Sequence, residues 1–279
     1  ISSDAARHRT QVTKLPAARR RGRGGRRVPQ SLSQPPPMSK LILHGVPVSQ
    51  PFRSVLWATK IKGLPLTLQT AVPPKHTTTD KFKALNPRGT IPVLEDGDFA
   101  MCEGPAILAY LADTHGWDDL YPREPQQRAR VLEALSWTVG TLRPATSRII
   151  GPLMRPDVAK RMAESPGLGA SIYAGPADSA GGLSHVLTSL EAVLEHRPFL
   201  ASAGATIADL SAYCELGQLQ PALFSDPATG LPLFDFSPFA RTTAWLDRMR
   251  AQPHHDEVHA PLREFCLHLT KKAAKAKAG

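Results

Sequence analysis

Ser49 stands in Val48-Ser49-Gln50-Pro51, between a short apolar run and a stretch of helical period. Pro51 suits a first helical position, where its missing N–H costs nothing. A hydroxyl just before a helix N-terminus can do two things. It can cap the helix, or it can donate to an anion that the exposed amides and the helix dipole attract. Four further places carry chemistry. Asn86-Pro87-Arg88-Gly89-Thr90-Ile91-Pro92 is a turn that leads into a strand carrying a proline, which a central ladder does not welcome. A cis Ile91–Pro92 bond in a tight bend accounts for it. Glu103-Gly104 sets an acid ahead of a helix, Lys75 and His76 follow two prolines in a loop, and Arg143 lies six residues after Trp137 on a long apolar-striped helix.

These residues need a frame. Leu41–His44 reads as a strand and Pro51–Lys62 as a helix with Phe52, Val55, Leu56 and Ala58 available to a core. Phe99-Ala100-Met101 pairs back on the Val93-Leu94 strand across Glu95-Asp96-Gly97-Asp98, where Asp-Gly is a hairpin signal. Pro105–Leu111 is the next helix, and Thr114–Pro122 leads out of this unit. Beyond it the periodicity is helical. One long helix covers Gln126–Ile150, a Gly/Ser/Ala/Pro-rich stretch over 165–182 reads as a loop or a short broken helix, and helices come after it over Leu183–His196, Ala240–Met249 and Val258–Leu269. Thr206-Ile207-Ala208-Asp209 opens another helix with a relative of the capping box.

The ordered set Ser49-Gln50-Pro51 with Arg53, Ile91-Pro92, and Glu103-Gly104 resembles the soluble glutathione transferases, nearest the theta class, from about Met38 to His268. The resemblance implies an α/β plus all-α fold: an N-terminal thioredoxin-like (βαβ-α-ββα) domain over 38–115, a linker over 116–125, and an all-helical electrophile-binding domain over 126–270. It implies glutathione as co-substrate. The Ser49 hydroxyl would donate to its sulfur and favour the thiolate, which attacks a small hydrophobic electrophile such as an alkyl halide, epoxide or peroxide, a detoxification chemistry. Ile91 would pair with the cysteinyl backbone beside Thr90 and Pro92, and Lys75 or His76 would reach the glycyl carboxylate. Glu103 and Gly104 would hold the glutamyl end, and Arg143 would face the thiolate. The family usually has a hydroxyl residue where this chain has Gly104, so restoring it with serine is expected to tighten glutathione. The resemblance also implies a homodimer, with Phe99 as an apolar contact. The alternative is a non-catalytic binding or scaffolding protein on the same fold.

Charge divides unevenly. The chain carries +10, but residues 1–37 hold nine Lys/Arg and one acid, leaving 25 against 23 for the rest. This Arg-, Pro- and Gly-rich leader cannot build a core and is expected to be disordered. It reads as non-native or upstream-translated sequence, as an organelle transit peptide, or as an RNA-binding arm. It has no interleaved aromatics, so the RNA signal is weak. A basic tail covers 271–279. Three scattered cysteines, Cys102, Cys214 and Cys266, fit reduced thiols and a cytoplasmic setting. No stretch matches a membrane helix. His255 and His259 are spaced i, i+4, but Asp256 stands where a zinc protease needs Glu, so no metal site is expected and the segment reads as a polar helix start. Cys102 has no partner for thiol–disulfide chemistry.

Overall fold

The computed structural model describes residues 40–154 and 180–278. The basic leader and residues 165–179 of the Gly/Ser-rich stretch lie outside the described residues. The first half is built on a four-stranded sheet: β1 (Leu41–Gly45), β2 (Thr67–Thr70), β3 (Val93–Asp96) and β4 (Phe99–Cys102), in the order β2-β1-β3-β4. Helix α1 (Gln50–Ile61) makes the crossover from β1 to parallel β2, and β1–β3 and β3–β4 are antiparallel. The β3–β4 turn is Gly97-Asp98, with Gly97 at φ 60°. A short α2 (Asp80–Leu85) is capped by Thr79, whose hydroxyl accepts from the Phe82 N–H. Helix α3 (Gly104–His115) closes the unit and ends on Gly116 in the left-handed region. Leu41 and Leu43 meet Phe52, Val55 and Trp57 of α1, Leu94 of β3, and Ile107, Leu108 and Leu111 of α3 in a common core. This is the thioredoxin-like arrangement that the motif order implied.

The second half is helical. Helix α4 (Pro125–Trp137) starts on Glu124, whose carboxylate accepts from the Gln126 and Gln127 N–H groups. Its continuation differs from the single regular helix expected over Gln126–Ile150. Thr138–Leu142 is one π-helical stretch before α5 (Arg143–Met154). The extra residue turns everything after it by about 100° relative to α4. Next come helices α6 (Ala180–His196), α7 (Ile207–Leu216), α8 (Ala240–Arg250) and α9 (His255–Ala278).

Helix α7 is the keel. Every residue of Ile207–Leu216 is buried. The capping box expected at its start is present. Asp209 accepts from the Thr206 N–H at 2.9 Å and hydroxyl at 2.8 Å, and also from the Leu200 N–H and the Trp245 indole. Against α7 lie α1 and α9. Trp57 meets Tyr213 at 5.4 Å and His259 at 5.1 Å between ring centroids, and its indole donates to the Pro253 carbonyl. The segment His255–His259 opens α9 with exposed Asp256 and Glu257 in its first turn, as a polar helix start, but its two histidines turn inward. Both rings are buried and stacked 4.5 Å apart, with Tyr213 Oη 2.7 Å from His255 Nε2. Among the described residues no cluster has metal-ligand geometry, and no helix is long and apolar enough to cross a membrane.

Candidate active site

Sheet register gathers the candidate residues. Thr70 of β2 pairs with Gly45 of β1, Val93 of β3 pairs with His44, and Cys102 of β4 pairs with Val93. So the loop to Ser49, the loop with Lys75 and His76, the Ile91–Pro92 bend and Glu103-Gly104 all leave the same end of the sheet. The Thr77 carbonyl lies within 3.0 Å of where a Cβ on Gly89 would be, which joins the second loop to the turn before Thr90. Asn86, fully buried, ties that turn together by donating to the Thr90 carbonyl and hydroxyl while accepting from the Arg88 N–H. The Ile91–Pro92 bond is cis, as the sequence suggested. Among the described residues, neither the N–H nor the C=O of Ile91 has a backbone partner.

Ser49 is the N-cap residue of α1, yet its hydroxyl makes no capping bond. Its N–H donates to the Val46 carbonyl and its C=O accepts from the Arg53 N–H, so the backbone is held and the hydroxyl is left over. Two helix N-termini converge beside it. A Cβ on Gly104 would lie 2.7 Å from Pro51 Cβ, so the start of α3 abuts the start of α1. The first turn of α1 carries no acid, and the acid at the start of α3 is its exposed N-cap residue, Glu103, whose side chain makes no capping bond. Amides at two helix starts and a hydroxyl without a capping bond are the groups that an anion would meet here. Glu103 adds a further mark. It is exposed and sits at φ 74°, ψ 108°, a conformation costly for a non-glycine residue and typical of sites where geometry is imposed for function.

Residues 43–125 match the family model for the glutathione S-transferase N-terminal domain. Human glutathione S-transferase theta-2 is 36% identical over 73% of this chain and 78% of its own length. Rat theta-2 is 31% identical over 81% and 88%. The solved structure of human theta-2 in complex with glutathione and an unknown ligand superposes with a TM-score of 0.66 at 32% identity, covering 83% of this chain and 91% of that one. The chain belongs to the glutathione S-transferase family. It is theta-like, and the family's enzymes use glutathione as co-substrate.

Within the transferase frame the other expected residues separate. His76 Nδ1 accepts from the Val72 N–H at 3.0 Å, which leaves Nε2 as the donor of the neutral ring. Lys75 is exposed on the same loop. At Gly104 a Cβ would lie 2.7 Å from Pro51 Cβ, so a side chain there requires the starts of α1 and α3 to shift apart. Arg143 pairs with the buried Glu215 of α7, whose other oxygen accepts from Thr146. No contact joins Arg143 to Ser49 directly. Burial pushes the Glu215 carboxyl up, against the opposing pull of Arg143.

Arg53, which the sequence offered only as part of the Ser49-Gln50-Pro51 motif and without a role of its own, lies beside the site. It is fully buried. Nη1 donates to the Val48 carbonyl at 2.7 Å and the Pro47 carbonyl at 3.4 Å, while Nη2 donates to the Cys214 carbonyl at 3.2 Å and Gln218 Oε1 at 3.3 Å. Burial lowers its pKa, and Cys214 and Glu215 oppose that. The one signal in the sequence was an arginine on the apolar face of α1, at a position where charge needs a partner.

Proposed function

We propose that the Ser49 hydroxyl donates to the sulfur of bound glutathione and holds it as the thiolate, which then attacks a small hydrophobic electrophile. The observation that carries this reading is a hydroxyl at a helix N-terminus that caps nothing. A free thiol titrates near ~8.5, and lowering it by about two units takes roughly 2.7 kcal/mol, within reach of a charge-assisted hydrogen bond plus a helix dipole. Glutathione lies across the sheet end. The free backbone of Ile91, beside Thr90 and Pro92, pairs with its cysteinyl segment as a short added strand. The amides at the start of α3, with Glu103 and Gly104, receive the glutamyl end. His76 Nε2 and Lys75 serve the glycyl carboxylate.

Arg143 acts at longer range. Its side chain is 39% exposed while paired with Glu215, which leaves it accessible to an anionic leaving group. Alkyl halides, epoxides and peroxides are the electrophile classes, consistent with a detoxifying role in the cytoplasm. We assign the thioredoxin-like domain to 38–115 and the helical domain to 126–270. The working form is a homodimer, supported by exposed Phe99 on β4 and exposed Leu132 and Val139 along α4 and its π-helical continuation. The test is retention on immobilised glutathione together with turnover against each electrophile class. Retention with turnover supports the transferase, whereas retention without turnover of any class favours a scaffolding protein on this fold.

A further inference from the structure

A buried guanidinium spanning two domains does more than hold them together. We propose that Arg53 is a positioning residue for the Ser49 hydroxyl, acting through the backbone of Pro47-Val48, and that helix α7 of the opposite domain sets that position. The proposal rests on the reading of Ser49 as the thiolate donor.

The Ser49 side chain makes no bond of its own to fix it. Its placement comes from the loop Val46–Ser49, and the Arg53 side chain grips that loop twice. Nη1 donates to the Val48 carbonyl at 2.7 Å and to the Pro47 carbonyl at 3.4 Å. The other end of the fork is anchored 161 and 165 residues away, at the Cys214 carbonyl and Gln218 Oε1. Gln218 is held in turn, its amide donating to the Glu215 carbonyl at 3.1 Å.

The groups facing Arg53 are Tyr213, Cys214 and Glu215 of α7 and His259 of α9. Burial pushes the Cys214 thiol up to about 12 and holds His259 down at about 2, so both are neutral over the range where a thiol titrates. Tyr213 is likewise pushed up by burial. The Glu215 carboxyl, pushed up by burial against the pull of Arg143 and Arg53, pairs with Arg143 of α5. The loop that presents Ser49 is thus braced by a hydrogen-bonded guanidinium seated on the Cys214 carbonyl and Gln218 of the other domain. A planar fork can serve Val48 and Cys214 at once, whereas a lysine ammonium keeps the charge and loses the span.

The test compares Arg53→Lys with the unchanged chain and with Ser49→Ala, using the pH dependence of kcat/KM and the KM for glutathione. For Arg53→Lys the apparent pKa should rise by about half to one unit, with a several-fold loss near neutrality that recovers in alkali, while KM for glutathione stays within about twofold. A residue that only stabilises the fold would lower yield or Tm and leave the profile in place. An unmoved profile for Arg53→Lys beside a shifted one for Ser49→Ala overturns the role of Arg53 alone. An unmoved profile for Ser49→Ala overturns the Ser49 reading and this inference with it. Should Arg53→Lys fail to fold, Gln218→Met removes one anchor and keeps the charge. A smaller upward shift there supports the proposal, and no shift overturns it.

Discussion

At the scale of single residues, Gly104 shows how a motif departure can mislead. The sequence invited Gly104→Ser as a repair. In the structure the new Cβ would meet Pro51 Cβ at 2.7 Å and the Pro51 carbonyl at 3.2 Å, on the helix that carries Ser49. Neither is the flexible end of a side chain. Overpacking of this kind costs about 1–3 kcal/mol. Gly104→Ser should therefore lower Tm by several degrees and leave glutathione binding equal or weaker by calorimetry. Tighter binding at unchanged Tm would refute the account. Ser49 was legible because a strand, a break and a proline-started helix locate it from local sequence alone. The bridging contacts of Arg53 were not, since Cys214 and Gln218 lie more than 160 residues along the chain and only folding brings them to it.

At the scale of elements, the pair His255 and His259 gives α9 a pH signature. Burial depresses both rings, His259 to about 2. The folded state therefore holds them neutral, while the unfolded chain protonates them near the ordinary ~6.5. Above that value the depression costs nothing. Below it each group costs about 1.4 kcal/mol per pH unit, down to the folded pKa. Urea unfolding should show His259→Gln, destabilised near neutrality, closing the gap on the unchanged chain by about 1.4 kcal/mol at a pH of about 5.5. A gap independent of pH would refute a neutral buried His259. Hydropathy period found nearly every helix, because one buried face repeats along each. It missed the π-helical stretch Thr138–Leu142, since one extra residue leaves the apolar stripe intact while rotating the helix beyond it. Arg143 comes directly after that stretch, so its pairing with Glu215 was beyond a period-based reading. The burial of the histidines was hidden for a related cause: α9 starts polar, with Asp256 and Glu257 exposed, while His255 and His259 on its other side pack on Trp57 and Tyr213.

At the scale of the whole molecule, the two-part architecture was legible because the motif order is that of a family whose sheet and helices come one after the other in sequence. Assembly was not, because an exposed apolar residue looks the same in sequence as a buried one. Phe99 at 49% exposure and Leu132 and Val139 at 45% are the residues a second copy would cover. For the chain lacking residues 1–37, light scattering at micromolar concentration should give the mass of two chains, and Phe99→Asp should shift it toward one. A single-chain mass with full activity would remove the dimer and leave the chemistry standing.

The central claim is that the uncapped hydroxyl of Ser49 makes glutathione reactive. Its most direct test is the thiol titration of bound glutathione, monitored by thiolate absorbance, in the unchanged chain and in Ser49→Ala. The account predicts a bound thiol ionising about two units below its free value, returning most of the way in Ser49→Ala while glutathione still binds. A bound thiol with the same depressed pKa in both proteins would contradict it.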